Sequence, residues 1–179
     1  LELNGVQVPR GTYPTVQRNA AVTKDTSRKV PRPVVITARI NGHPARALLD
    51  SGSLGDFMSS TAADQLKVKR TKLTSPLGLQ LAVQGSRSKI NSGTKAVLEY
   101  QNIKEERYFD IINLSNYDLI LGTPWLYQHQ VCLGFNPARV LVGSDTALPL
   151  DGVSVTSIAS HAVALENSEI DRARKLLLD

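Results

Sequence analysis

The stretch Ala-Leu-Leu-Asp-Ser-Gly at 47–52 constrains this chain more than any other, because an apolar run leads directly into a carboxylate. Apolar runs of this kind predict a buried strand, and carboxylates are rarely buried without a partner. We therefore predict that a strand delivers Asp50 to its own end and that Ser51 and Gly52 form a tight turn that presents it. The same tripeptide also suits an ordinary surface turn, so the stretch alone leaves both interpretations open.

Length and composition exclude several classes of protein. The 179 residues suffice for one domain with a real core. No apolar run approaches the roughly 20 residues that span a bilayer, and the N-terminus lacks an apolar signal core, so we expect a cytoplasmic protein without membrane contact. The single Cys132 excludes an internal disulfide and a Cys-rich zinc site. His43, His129 and His161 lack ligand spacing, so we predict no metal.

Charge and turn residues divide the chain into three parts. Residues 1–32 hold six Lys and Arg against two acidic residues and are rich in turn formers, which predicts a basic, largely disordered leader. A basic leader can bind nucleic acid, but no aromatic residues are interleaved as stacking platforms, which favours a solvated linker. Residues 144–179 hold three basic against six acidic residues and predict an acidic tail with a helix near 168–178. Both flanks are expected to be flexible.

Between the flanks, residues 33–143 predict a mostly β domain. Strands are expected near 34–40 and 45–49, joined by an Asn41-Gly42 hairpin, and further strands near 96–100, 107–112, 117–122, 131–135 and 139–142. A long hairpin has its tip at 84–88, and Gly93 is expected to break its return strand. Short helices are predicted after Ser59 or Ser60 and after Thr123, which would act as N-caps. This pattern predicts a small barrel or sandwich.

A second motif belongs with the first. Leu-Ile-Leu-Gly at 119–122 ends seventy-two positions after Asp50, and the long hairpin lies between the two motifs. This order resembles the retropepsins, the single-lobe aspartic proteases of retroviruses and LTR retrotransposons. Asp-Ser-Gly at 50–52 with Phe-Met-Ser at 57–59, Leu-Ala-Val-Gln-Gly-Ser at 81–86 and Tyr-Asp-Leu-Ile-Leu-Gly-Thr-Pro-Trp-Leu at 117–126 are similar to segments of gypsy-type retrotransposon proteases. The resemblance covers about 33–143 and neither flank.

The resemblance implies a fold and a site. The fold would be a mostly β, single-lobe closed barrel or sandwich with one or two short helices. Asp50 would be the catalytic carboxylate, the Ser51 hydroxyl would hold the partner's loop across an axis, and Gly52 would turn its N–H toward the carboxylate. The hairpin would be a flap over the substrate, and the apolar strand with its glycine would pack behind the catalytic loop. The implied flap residues are Gln84, Gly85, Ser86, Arg87 and Ser88, and the implied supporting residues are Ile120, Leu121 and Gly122.

The chemistry adds a partner. Peptide hydrolysis by water needs a general base and a general acid, and two carboxylates that share one proton supply both. The chain holds one Asp-Ser-Gly, so the second carboxylate must come from another copy, which predicts a C2 homodimer. We therefore expect a cofactor-free aspartic endopeptidase that cuts a retroelement polyprotein.

Three alternatives remain open at this stage. The fold could serve as an inactive dimerisation or peptide-binding module. The basic leader could bind nucleic acid, although this is not expected of the core domain. The chain could also resemble the cellular, ubiquitin-linked retropepsin-like proteases, which share the Asp-Ser-Gly chemistry.

Overall fold

The computed structural model describes residues 2–3, 6–7, 27–80, 87–154, 157–158, 172 and 174–177. The chain divides into two compact units, Leu1–Pro31 and Arg32–Asp179. Within the described residues the elements follow one another as β1 (Glu2–Leu3), β2 (Val6–Gln7), β3 (Val35–Ile40), β4 (His43–Leu49), β5 (Phe57–Ser59), α1 (Ser60–Gln65), β6 (Thr71–Gln80), β7 (Arg87–Tyr100), β8 (Ile103–Ile112), β9 (Leu119–Leu121), α2 (Thr123–Gln128), β10 (Val131–Gly134), β11 (Arg139–Val142) and β12 (Ser157–Ile158).

Six strands of the larger unit close into a barrel. They are hydrogen-bonded in the order β7-β3-β4-β9-β5-β8, and pairing of β8 with β7 completes the ring. β6 pairs with β7 outside the ring, and β12 pairs in turn with β6. The prediction of a mostly β, closed barrel with short helices is therefore confirmed.

The barrel core follows from alternation along the strands. In β3, Ile36, Ala38 and Ile40 are buried while Thr37 and Arg39 are exposed, as expected for a strand with one face toward the core. The largest fully buried side chains include Trp125, Phe109, Ile40, Met58 and Leu98. Each side chain of this size contributes about 1.5–3 kcal/mol when it is removed from water, so this cluster stabilises the barrel.

Two local predictions are confirmed by backbone geometry. Asn41 and Gly42 both have positive φ, 49° and 82°, as the tight turn of a two-residue hairpin requires. The Asn41 side chain also accepts a hydrogen bond from the Val97 N–H at 2.9 Å, which ties the turn to β7. Ser59 is the N-cap of α1, and its hydroxyl accepts a hydrogen bond from the Ala62 N–H at 2.9 Å.

The predicted break at Gly93 is wrong, because β7 continues through this residue. Gly93 pairs with Asp110 on β8, and the hydroxyl end of the neighbouring Tyr108 side chain fills the place that a Cβ on Gly93 would take. The glycine thus accommodates an aromatic side chain on the next strand and does not end the strand.

The predicted N-cap at Thr123 is also wrong. Gly122 is the N-cap of α2 and makes no side-chain cap bond, whereas Thr123 is the first helical residue. The Thr123 hydroxyl donates instead to the carbonyl oxygen of Ser53 at 2.7 Å. The Thr123 hydroxyl therefore bonds a loop that is distant in sequence, although local propensity predicted that it would cap the helix.

β10 and β11 form a separate two-stranded sheet, from Val131↔Val142 to Gly134↔Arg139, which confirms the two predicted strands. Backbone contacts continue beyond it. The Gly143 N–H donates to the His129 carbonyl oxygen at 3.0 Å, and the Leu148 N–H donates to the Gln128 carbonyl oxygen at 2.9 Å. The segment after β11 is therefore fastened to the end of α2.

Little of the two predicted flanks is described. β1 pairs with β2 in the first unit, and the rest of the leader from residue 8 to residue 26 lies outside the described residues. Of the helix predicted at 168–178, residue 172 and residues 174–177 are helical, and the other positions lie outside the described residues. Across the part of the chain that the structure describes, none of the helices has the length and apolar character needed to cross a membrane.

Candidate active site

Asp50 follows the last residue of β4, at the point where the strand leaves the barrel. Its N–H donates to the Leu121 carbonyl oxygen at 3.0 Å, which fastens it to β9. The residue is half-buried, and its carboxylate oxygen Oδ1 accepts a hydrogen bond from the Gly52 N–H at 2.9 Å. The backbone is therefore fixed by a strand while the carboxylate is presented at the surface of this chain.

The loop after Asp50 is closed by its own hydrogen bonds. The Ser53 N–H donates to the Asp50 carbonyl oxygen at 3.1 Å, and the Ser53 hydroxyl donates to the Gly55 carbonyl oxygen at 2.8 Å. Ser51 and Gly52 are exposed. A Cβ on Gly52 would lie 3.2 Å from Asp50 Oδ1, so a side chain there would crowd the carboxylate.

Three consecutive residues hold this loop from behind. Leu121 accepts from Asp50, and the Thr123 N–H donates to the Ser53 carbonyl oxygen at 2.8 Å. Between them, the Gly122 N–H donates to Asp56 Oδ1 at 2.8 Å. A Cβ on Gly122 would lie 2.7 Å from the Ser53 carbonyl oxygen and closer still to that of Gly55. β9 and the loop therefore approach each other as closely as a glycine allows.

A second apolar cluster lies beside this loop and is separate from the barrel core. Its buried members are Phe57, Leu79 and Ile90, and partly buried side chains pack against it, among them Leu77 and Ile120. Phe57 on β5 pairs with Ile120 on β9, and Leu77 on β6 pairs with Ile90 on β7. The cluster thus connects the strands that flank the loop of Asp50 with the long hairpin.

The structure describes the base of that hairpin. Arg87 and Ser88, predicted at the tip, lie in β7, where they pair with Gln80 and Leu79. The return strand therefore begins before Ile90, where the sequence analysis placed its start. The predicted tip residues Gln84, Gly85 and Ser86 lie outside the described residues, so their assignment to a flap stays a prediction.

A buried ion pair next to the loop was not predicted from the sequence as part of the site. Asp56 Oδ2 accepts hydrogen bonds from Arg107 Nε at 2.9 Å and from Arg107 Nη2 at 2.8 Å. The side chains of Asp56 and Arg107 are 5% and 10% exposed. Burial raises the pKa of Asp56, and the Arg107 guanidinium and the Gly122 N–H oppose this shift because they favour the carboxylate.

The ion pair belongs to a larger polar network. Arg107 Nη2 also donates to Gln128 Oε1 at 2.8 Å, and Nη1 lies 3.3 Å from Glu105 Oε1. That Glu105 oxygen lies 2.9 Å from His129 Nε2, and His129 Nδ1 lies 2.8 Å from the Ser144 carbonyl oxygen. His129 is fully buried. The network therefore reaches from the loop after Asp50 to the segment after β11.

Within the described ranges, no three His, Cys, Asp or Glu side chains are grouped so that they could hold a metal ion. Asp56 is not placed to act as a free acid or base, because one of its oxygens is bound to Gly122 and the other to Arg107. Of the two carboxylates of this loop, Asp50 is the half-buried one and is bound only by the Gly52 N–H among the described residues, whereas Asp56 is buried.

The family model of the PEG10/RTL1 protease domain matches residues 46–148, more than half of the chain. That range contains the loop of Asp50, the hairpin, β9 and α2, and it ends at the residue whose N–H is fastened to Gln128.

Two curated proteins are also similar to this chain. DNA damage-inducible protein 1 of Cryptococcus neoformans var. neoformans serotype D is 25% identical over 142 residues, covering 78% of this chain and 29% of that protein. Protein DDI1 homolog 2 of Mus musculus is 26% identical over 109 residues, covering 61% of this chain and 27% of that protein. The chain spans less than a third of the length of either relative.

Two solved structures are also similar. The retroviral protease-like domain of Ddi1 from Leishmania major has a TM-score of 0.47 and 19% identity, covering 68% of this chain and 95% of that chain. EIAV protease complexed with the inhibitor HBY-793 has a TM-score of 0.43 and 16% identity, covering 59% of this chain and 92% of that chain.

Proposed function

Because the chain belongs to the PEG10/RTL1 protease domain family, we propose that it is an aspartic endopeptidase whose active site forms between two copies of the chain. The observation that carries the proposal is the presentation of Asp50. Its backbone is held by Leu121, its carboxylate by the Gly52 N–H, and its loop by the residues that follow β9. A carboxylate with a fixed backbone and an accessible side chain suits work as a general acid or base.

The reaction needs two such groups. A water molecule attacks the peptide carbonyl as one carboxylate removes its proton, and a protonated carboxyl donates a proton to the leaving amine. Two carboxyl groups about 3 Å apart cannot both ionise, so they share one proton and can fill both roles. Of the two carboxylates in this loop, only Asp50 could fill either role, since Asp56 is bound to Gly122 and Arg107. A C2 homodimer would bring two Asp50 side chains together on its axis, with each Ser51 hydroxyl directed toward the partner.

The substrate we propose is an extended polypeptide. The apolar cluster of Phe57, Leu79 and Ile90 is buried between the strands that flank the loop of Asp50 and the hairpin, so it would support the hairpin above the site. Residues 84–88 would form the tip and adjoining strand of a flap that closes over the peptide and excludes water. The chemistry requires no metal or cofactor.

We further propose that the natural substrate is a polyprotein of a gypsy-type LTR retrotransposon. Support comes from the long segment Tyr-Asp-Leu-Ile-Leu-Gly-Thr-Pro-Trp-Leu at 117–126, which spans β9 and α2. The similarity to DNA damage-inducible protein 1 and to protein DDI1 homolog 2 supports a second origin, a cellular retropepsin-like protease. Both origins predict the same Asp50 chemistry, and they differ in the substrates that the protein would cut.

The proposal is tested by incubating the purified chain with a mixed pool of peptides and comparing it with Asp50→Asn. Asparagine keeps the shape of the side chain but cannot relay protons, so cleavage should be abolished while the fold is retained. Asp64→Asn is the matched control, because Asp64 is an exposed carboxylate on α1, and it should cleave like the wild type.

The pH dependence gives a second criterion. Activity should be bell-shaped with a maximum on the acid side of neutral, since one Asp50 must be protonated and the other ionised. A wild-type chain that binds peptides without cutting them would favour the alternative of an inactive peptide-binding module. Cleavage that survives in Asp50→Asn would refute the assignment of the catalytic residue.

A further inference from the structure

The Asp56–Arg107 ion pair is buried where a charge is costly. Moving a carboxylate out of water costs several kcal/mol unless hydrogen bonds replace its hydration. Here both carboxylate oxygens are bound, Oδ1 to the Gly122 N–H and Oδ2 to two nitrogens of Arg107. Such fully bonded charge pairs define geometry more sharply than apolar contacts, because each bond prescribes a direction and a distance.

The geometry that this pair defines is that of the catalytic loop. Asp56 is the last residue before β5, and its backbone carbonyl accepts a hydrogen bond from the Asp110 N–H on β8 at 3.1 Å. Its side chain holds the amide of Gly122. The carbonyl group of Leu121, which belongs to the same peptide unit as that amide, holds the N–H of Asp50. The side chain of Asp56 is thus one peptide unit away from the group that positions Asp50.

Arg107 has the reach to fix this arrangement from outside the loop. It lies on β8, and the same guanidinium also bonds Gln128 on α2 and Glu105. Arg107 is therefore held by a strand and a helix that do not belong to the loop. Without it, the Asp56 carboxylate would be buried and uncompensated, and it would have to leave its place against Gly122 to reach water.

We propose that Asp56, oriented by Arg107, is a positioning residue that holds Gly122 and the loop of Asp50 in the geometry required for catalysis. This inference rests on the proposed function, and Asp56 itself exchanges no proton with the substrate. The ion pair links the loop that contains Asp50 to β8, on which Arg107 lies.

The test compares Asp56→Asn and Arg107→Lys with a matched pair elsewhere. In Asp56→Asn the new side chain can still accept a bond from Gly122, but its amide group meets the donors of Arg107. In Arg107→Lys the ammonium group cannot make the two bonds of a guanidinium. The controls are Asp64→Asn and Arg70→Lys, which alter an ion pair of 2.7 Å whose side chains are 75% and 39% exposed. Amide hydrogen exchange at Gly122 and Gly52 is measured by NMR, with Asn41, bonded to Val97 in the distant hairpin, as the reference amide.

Exchange at Gly122 and Gly52 should rise by about tenfold or more in both test variants, while Asn41 changes by less than about twofold. Both variants weaken the charge-assisted bonds between residues 56 and 107, which are worth about one to two powers of ten, and so release the side chain that holds Gly122. In peptide cleavage, kcat should fall by about the same factor with KM within about twofold, since positioning of Asp50 affects chemistry more than binding. The controls should match the wild type in both measurements.

Several results would overturn the inference. Unchanged exchange at Gly122, or exchange that rises in step with Asn41, would show no specific hold on the loop. Faster local exchange with an unchanged kcat would show that the hold does not serve catalysis. Failure of both test variants to fold, with both controls folded, would make the pair a fold element only. A wild type without any cleavage would refute the proposed function, whereas the exchange result would still decide whether Asp56 holds the loop.

Discussion

Replacement of Gly122 by alanine tests the closest contact in the site. The new Cβ would lie 2.7 Å from the Ser53 carbonyl oxygen and closer still to the Gly55 carbonyl oxygen. Neither carbonyl group is free to turn away, because the first accepts from Thr123 and the second from the Ser53 hydroxyl. The backbone of the loop or of β9 must therefore move.

The magnitude follows from these contacts. Overpacking against fixed atoms costs about 1–3 kcal/mol, and displacement of Gly122 weakens its bond to the buried Asp56 carboxylate, which is worth about 1.5–3 kcal/mol. We expect the free energy of unfolding to fall by about 3 kcal/mol or more, which lowers the melting temperature of a domain of this size by about 10 °C. Cleavage activity should be lost even in the fraction that remains folded.

The assay is urea unfolding of both proteins at one fixed protein concentration, since dimer formation makes stability depend on concentration. Gly152→Ala is the matched control, because a Cβ there has no heavy atom within 4 Å, and its effect should stay within about 0.5 kcal/mol. A Gly122→Ala protein that unfolds within about 0.5 kcal/mol of the wild type would refute the close approach of β9 to the loop.

Three further predictions address other parts of the structure. Thr123→Val should lower the free energy of unfolding by about 1 kcal/mol through loss of its hydroxyl bond to the loop, and urea unfolding with no change would contradict that bond. Burial raises the pKa of Asp110 above 3.8, and the bond from the Tyr108 hydroxyl only partly opposes this. The contribution of Asp110 to the free energy of unfolding is therefore complete below pH 3.8 and is lost as the pH rises through the raised pKa. Asp110→Asn should lack this fall in the free energy of unfolding with rising pH. Curves of unfolding free energy against pH that run parallel for the two proteins would contradict the shift. A chain truncated after Gly143 should melt at a lower temperature than one truncated after Leu150, because the longer chain keeps the two carbonyl groups that bond His129 and Gln128, and equal melting temperatures would show that those bonds contribute nothing.

Local signals predicted the framework of the fold well. The hairpin at Asn41 and Gly42 is confirmed, and of the two predicted N-caps, Ser59 and Ser60, the structure has Ser59, because each of these features depends on residues within a few positions along the chain. The strand that ends at Asp50 was predicted from its continuous apolar run, which both faces of a buried strand require. The number and spacing of short strands predicted a small barrel or sandwich, and the closed barrel that the resemblance implied is the form observed.

The errors occurred where a distant residue overrode a local preference. Gly93 suggested a strand break, but the glycine makes room for Tyr108 on the neighbouring strand. Thr123 suggested an N-cap, but its hydroxyl bonds Ser53, seventy positions away. The local sequence around either residue contains no sign of the partner, so only the three-dimensional arrangement could reveal these roles.

The site itself was predicted unevenly. Asp50 and Gly122 stood out because their motifs are distinctive, whereas the partnership of Asp56 with Arg107 spans fifty-one positions without any periodic pattern. A sequence with many acidic and basic residues offers too many possible pairs for one of them to be chosen. The catalytic role of Asp50 and the flap at 84–86 stay predictions that await the experiments described above.

The dependence of activity on two copies of Asp50 is the central claim, and mixing wild type with Asp50→Asn tests it most directly. Each mixed dimer would hold a single carboxylate, too few for paired acid and base work. With random exchange of subunits, the active fraction should follow the square of the wild-type fraction, so that an equal mixture retains about a quarter of the dimers in active form. Specific activity should also fall on dilution as the dimer dissociates. Loss in simple proportion to the wild-type fraction, with specific activity independent of dilution, would mean that a single chain is catalytic and would contradict the account.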